Sequence, residues 1–73
     1  MYLLVYDIVG KKRLKKISQI LQRYGRRVQK SVFECDVVKS RYDELRGHLI
    51  RERGEGDKIF VYHVGSCAKC EKI

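Results

Sequence analysis

The chain begins with an apolar run, Tyr2-Leu3-Leu4-Val5-Tyr6, that a single carboxylate, Asp7, interrupts before Ile8 and Val9 resume it. Near-continuous apolarity over so short a stretch predicts a strand over 2–9, covered on at least one face and partly on the other. Beyond Gly10 the period changes. Leu14, Ile17, Ile20, Leu21 and Tyr24 recur at spacings of three and four, predicting an amphipathic helix over 11–24 with basic residues on its other faces. Gly25 is placed to end that helix in the left-handed conformation. Residues 27–38, RVQKSVFECDVV, are rich in Val and Phe around a polar interruption at Gln29–Ser31, and read either as two strands joined by a tight turn or as one long bent strand. Ser40 with Asp43 three residues on resembles a capping box, and Tyr42, Leu45 and Leu49 form the apolar stripe of a second helix ending near Gly54. Gly54-Glu55-Gly56-Asp57 is a loop, and 58–64, KIFVYHV, a last strand. The order β-α-β-β-α-β predicts an α+β, ferredoxin-like fold: an antiparallel sheet with two helices on one face, over residues 1–64. Residues 65–73 form a C-terminal tail, and no repeat or linker divides the chain.

Size sharpens this picture. A chain of 73 residues is one small domain that buries only about 60% of its unfolded surface, and such domains often gain stability by oligomerising. Charge changes it more. Seventeen Lys and Arg stand against nine Asp and Glu, a net charge of +8, and the pI is near 9.7. A polyanionic partner, DNA or RNA, is the natural reading. No acid occurs between Asp7 and Glu34, whereas Lys11, Lys12, Arg13, Lys15, Lys16, Arg23, Arg26, Arg27 and Lys30 all fall in that gap. Each is able to neutralise a backbone phosphate and release a counterion. No apolar run approaches the ~20 residues of a membrane helix, so no membrane partner is expected. The first residues lack a charged region and a small-residue cleavage site, and three cysteines argue against a disulfide framework, so a cytoplasmic location is expected.

Asp7 is the candidate for chemistry. A carboxylate inside an apolar run is costly unless it is paired, hydrogen-bonded or bound to a cation. It stands at the C-terminal end of a strand, where α/β sheets often present functional groups, and shares a face with Leu3 and Val5, away from the core. It can cap the following helix or pair with Arg13 or Arg27. Alternatively it is a ligand for Mg²⁺ or Mn²⁺. One carboxylate is a poor site, and no second acid is near in the chain. A twofold homodimer presents the same residue twice and so supplies one.

Tyr6-Asp7-Ile8 at a strand end, a basic amphipathic helix closing at Tyr24-Gly25, and then RRVQKSVFE together resemble the small CRISPR-associated adaptation proteins of the Cas2 family over residues 1–64. The resemblance implies a ferredoxin-like homodimer and a divalent metal at a pair of Asp7 carboxylates. It implies nuclease activity on single-stranded RNA or double-stranded DNA, and a role as the central dimer of the CRISPR integrase complex, in spacer acquisition and antiviral defence. It places Asp7 as the metal-binding and catalytic residue, and Tyr6, Arg27, Ser31 and Phe33 in the cleft or interface. It also implies a C-terminal strand packing on the partner protomer, for which this chain offers only SCAKCEKI.

The resulting expectation is a Mg²⁺-dependent phosphodiesterase, with Lys12, Arg13, Lys15, Lys16, Arg26 and Arg27 holding the nucleic-acid backbone. Two rivals share its surface: a non-catalytic DNA-binding scaffold of the integrase complex, and a toxin-like messenger RNA interferase. His63, Cys67 and Cys70 have zinc-ligand spacing, with Cys35 a remote fourth. Cys35 otherwise reads as a buried hydrophobe and His48 as a surface residue. Phe33 and Tyr6 are able to stack on bases, and Phe33 equally to pack in the core.

Overall fold

The computed structural model describes residues 1–65 and 69–73. Along the chain run β1 (Tyr2–Asp7), α1 (Lys11–Gln22), β2 (Arg26–Gln29), β3 (Val32–Cys35), α2 (Lys39–Glu52), β4 (Lys58–His63) and β5 (Lys69–Lys72). The strands form one sheet in the order β2-β3-β1-β4-β5, with every neighbouring pair antiparallel. This is the ferredoxin-like α+β arrangement, extended by a fifth strand.

β1 is central because both of its edges are paired and its alternate residues face two different environments. Leu4 lies opposite Phe33 on β3 and Val61 on β4, and all three are completely buried. This face packs on Ile17, Ile20 and Leu21 of α1 and on Tyr42, Leu45 and Leu49 of α2. Tyr2 and Tyr6 share it, and the Tyr2 ring stacks on that of Tyr42 with centroids 4.1 Å apart. The other face carries Leu3, Val5 and Asp7, in register with Tyr62, Phe60 and Lys58 of β4. Among the described residues no helix covers it, so the run reads as apolar on both sides although one side is core.

Residues 27–38 resolve into two strands joined at Lys30–Ser31, with a register irregularity between Arg27 and Gln29 on the edge strand β2. Several boundaries differ from expectation. β1 ends at Asp7, and α1 ends at Gln22, leaving Tyr24 to bury beyond the helix. Gly25 is not left-handed; the glycines with positive φ among the described residues are Gly56 and Gly65. What Gly25 supplies is close approach, because a Cβ there would fall 2.2 Å from the Glu34 carbonyl oxygen and 2.6 Å from the Cys35 Sγ. Ser40 does not cap α2. The helix starts from Val38 with no side-chain cap bond, and Asp43 instead pairs with Lys39 at 3.1 Å.

The tail pairs with β4 of its own chain. The Ile73 N–H donates to the Ile59 carbonyl at 2.8 Å, and the Ile73 side chain is buried. Glu71 accepts the Tyr42 hydroxyl and, at 2.9 Å, the Arg46 Nε–H, tying β5 to α2. Those two bonds hold the Glu71 carboxyl below its ordinary range, while burial and then Glu71 push the Tyr42 hydroxyl up. Among the described residues no helix is long and apolar enough to cross a membrane.

Candidate metal and nucleic-acid site

Asp7 is the last residue of β1 and is exposed on the helix-free face, with Lys58 as its cross-strand neighbour. Among the described residues its carboxylate enters no ion pair and accepts no side-chain bond. The structural roles open to it are filled by others. The N-cap of α1 is Gly10, with no side-chain cap bond. Arg13 is held by Asp57, and Arg27 donates to the Ser18 hydroxyl at 2.5 Å. An exposed carboxylate is a hard oxygen donor of the kind that suits Mg²⁺ or Mn²⁺.

Asp57 is the carboxylate that sequence reasoning missed. Its side chain is completely buried, and Oδ2 accepts the Arg13 Nε–H at 2.7 Å and the Gly54 N–H at 2.8 Å. Oδ1 accepts the Val9 N–H at 2.9 Å and an Arg13 Nη2–H at 3.3 Å. The Arg13 guanidinium, aided by the two backbone donors, holds the Asp57 carboxyl well below the usual carboxylate range against the opposing effect of burial. This clip joins the segment just after Asp7 to the loop before β4. Its local signal was Gly54-Glu55-Gly56-Asp57: the Asp57 N–H closes on the Gly54 carbonyl at 3.1 Å, and Gly56 has φ +85° at the third turn position. Lys58, one residue on, was also missed, because only the β1–β4 register brings it beside Asp7.

The expected cleft is divided between the two faces of the sheet. The Ser31 carbonyl accepts the Tyr6 N–H at 3.1 Å, which sets the β2–β3 turn beside the end of β1. Tyr6 itself faces the helices; it is 3% exposed, and its hydroxyl donates to the Lys30 carbonyl at 3.4 Å. Phe33 is completely buried, its ring 6.1 Å from that of Tyr6. Neither ring is available to stack on a base: Phe33 takes the core place that was one of its two readings, and Tyr6, on the core parity of β1, corrects the expectation that it stacks. Arg27 lies over Phe33, its guanidinium carbon 5.4 Å from the ring centroid, on the helix side and away from the face of Asp7.

Of the other expected phosphate contacts, Arg13 is held by Asp57 through Nε and Nη2, which leaves less of its guanidinium for a phosphate. Lys16 pairs with Glu52 at 3.2 Å and Arg26 with Glu34 at 3.4 Å, both at the surface, where such pairs hold weakly and yield to a phosphate. Lys12 and Lys15 are exposed and have no acidic partner among the described residues. Cys67 of the zinc-spaced trio lies outside the described residues, and among those described no group of three or more His, Cys, Asp or Glu is placed to hold a metal. Cys35 is a core residue whose thiol is pushed up to about 11, first by burial and then by Glu34. His63 packs edge-on against Tyr2 and Tyr42. His48 is half-buried, with Nδ1 2.9 Å from Arg51 Nη2.

Residues 1–72 match the family described as CRISPR associated protein Cas2. The chain belongs to the Cas2 family. It is 42% identical over 73 residues to the "CRISPR-associated endoribonuclease Cas2 1" of Chloroflexus aurantiacus, covering 97% of this chain and 76% of that one. The "CRISPR-associated endonuclease Cas2" of Halalkalibacterium halodurans is 39% identical over 72 residues, covering 88% and 73%. Among solved structures, Streptococcus pyogenes Cas2 superposes with a TM-score of 0.81 at 34% identity, covering 88% of this chain and 84% of that one. Relatives of this family are thus named as nucleases, and the Cas2 fold is the one seen here.

Proposed function

We propose that this Cas2-family chain is a metal-dependent endonuclease of CRISPR adaptation that works as a homodimer on single-stranded RNA or double-stranded DNA. The carrying observation is Asp7, exposed at the end of β1, with no carboxylate partner and no covering helix on its sheet face among the described residues. That face is apolar next to Asp7: Leu3 is in register with Tyr62, and Val5 with Phe60 and Val32. Tyr62 is 43% exposed and Val64 50%, and contiguous exposed apolar surface marks an interface. A second copy is the occupant that fits best, because isologous pairing covers both faces and brings two Asp7 carboxylates across one cleft. One chain by itself offers only one. A divalent ion held by that pair would polarise a phosphate and lower the pKa of its bound water. Lys58 is placed to draw a phosphate toward Asp7. Lys12, Lys15 and Arg26 are further exposed cations able to draw the nucleic-acid backbone, and the Arg13–Asp57 clip fixes the segment following Asp7. The CRISPR integrase subunit is the protein partner that the family suggests.

One observation favours the non-catalytic scaffold as a second reading. Lys58 is the cross-strand neighbour of Asp7, and a cation there favours a phosphate over a metal ion. Cleavage of labelled RNA and of duplex DNA with Mg²⁺, Mn²⁺ or a chelator tests the choice; chelator-sensitive products support the nuclease. Light scattering is expected to give about twice the 8.6 kDa protomer mass at micromolar concentration, and a monomer would remove the shared site. Duplex affinity is expected to fall about a hundredfold between ~50 and ~200 mM salt if roughly four phosphates are neutralised, as a titration by fluorescence anisotropy reads. A flat dependence would mean that the basic helix serves something else.

A further inference from the structure

A groove of about 390 Å³ runs between α1 and the edge strand β2, lined by Lys11, Leu14, Lys15, Ser18, Gln19, Gln22 and Arg27. Lys11, Lys15, Ser18 and Gln22 are spaced four, three and four residues apart, so they form one row along the helix, about 16 Å long at 1.5 Å per residue. Arg27 faces this row from β2. Its guanidinium is held in place twice, by the Ser18 hydroxyl at 2.5 Å and by the face of Phe33 at 5.4 Å. Gln22 Nε2 lies 3.5 Å from the same hydroxyl. Both holders of Arg27 are neutral. Arg13, Lys16, Arg26, Lys39, Arg41 and Arg46 each face a carboxylate, but Arg27, Lys11 and Lys15 have none among the described residues. A guanidinium fixed against an aromatic face and a hydroxyl keeps its full charge and most of its five N–H donors for an external acceptor, in a geometry that matches phosphate.

We propose that this groove is a subsite for an unpaired nucleic-acid strand, with Arg27 and the Lys11–Lys15 row holding successive phosphates, on the side of the sheet opposite Asp7. The inference rests on the reading that the chain binds nucleic acid, and adds which form of it this surface takes. One line of cations in a concave channel matches one backbone. A duplex presents two backbones about 12 Å apart across its major groove, too broad to enter. Leu14, 38% exposed on the channel floor, gives a sugar or base edge an apolar contact. Arg27 lies on the helix side while Asp7 lies on the open side, so a strand held here is anchored away from the carboxylate.

The test is fluorescence anisotropy with a labelled oligothymidylate of ~10 nucleotides and a blunt duplex of the same length, a size within ordinary single-strand site sizes. Three variants are compared with the wild type: Lys11→Gln with Lys15→Gln, Lys12→Gln with Lys16→Gln, and Arg27→Lys. The two double variants remove equal charge from the same helix, the first from the groove and the second from the side toward α2. Single-strand affinity is expected to fall about tenfold in the groove double variant and no more than about threefold in the other, with duplex affinity affected alike by both. Arg27→Lys keeps the charge and loses the fork, and should weaken single-strand binding about threefold or more. Equal weakening of both probes by both double variants overturns the groove while leaving nucleic-acid binding in place. Thymidine monophosphate bound as tightly as the oligomer overturns the strand and leaves a mononucleotide pocket. A wild type that binds neither probe overturns the groove and the underlying reading together.

Discussion

Asp7→Asn is expected to reduce Mg²⁺- or Mn²⁺-dependent cleavage by at least about a hundredfold while leaving the melting temperature unchanged. The substitution keeps the size of the side chain and removes only its charge. Because Asp7 is exposed and supports no described hydrogen bond or ion pair, nothing in the fold depends on it. The amide is a far weaker ligand for a hard cation than a carboxylate. Nucleic-acid affinity should hold or rise, since a negative charge beside Lys58 is lost. Cleavage that survives the substitution would place the chemistry elsewhere. A folded wild type that cleaves nothing with any divalent ion, yet binds duplex tightly, would favour the scaffold. In a dimer the two carboxylates belong to one site, so mixing wild-type and Asp7→Asn protomers adds a further reading. Heterodimers that retain full activity would show that one carboxylate suffices.

Much of the fold was legible because burial leaves a period. The change from a continuous apolar run to spacings of three and four located β1 and α1, and Tyr42, Leu45 and Leu49 located α2. The exposure of Asp7 was legible too, since parity puts it with Leu3 and Val5, away from Leu4 and Tyr6. That same parity puts Tyr6 with Leu4 on the core face, which the expectation of Tyr6 in the cleft overlooked. The core was one of two readings for Phe33, and its register opposite Leu4 decides between them. Helix starts were misread where local chemistry is weak. A side-chain cap contributes about 1 kcal/mol, and the packing of the α2 stripe set the start at Val38, with Ser40 already inside the helix. Asp57 was hidden for a different reason. Its partner Arg13 is 44 residues away, and nothing in the charge pattern separates a cation committed to a buried carboxylate from one free to meet phosphate.

Asp57→Ala is expected to damage stability strongly, costing about 2–4 kcal/mol and lowering the melting temperature by roughly 10–25 °C in a domain this small. Alanine removes all four bonds that Asp57 accepts and leaves the Val9 and Gly54 N–H groups and the Arg13 guanidinium without their partner. Asp57→Asn retains an acceptor and should cost less. The pH dependence separates charge from shape. The folded carboxyl titrates below its unfolded value, so its contribution is complete above about pH 4, where unfolded aspartate has lost its proton, and is lost as the pH falls below that. Urea titrations should therefore show a constant gap between wild type and Asp57→Asn from pH 7 to pH 5, narrowing toward pH 2. A gap that stays the same down to pH 2 would mean that the clip works by shape alone. Function should respond through position: with the segment after Asp7 released, metal-dependent cleavage by Asp57→Ala should fall even at temperatures where the protein remains folded. Full activity in the folded fraction would show that the clip serves stability only.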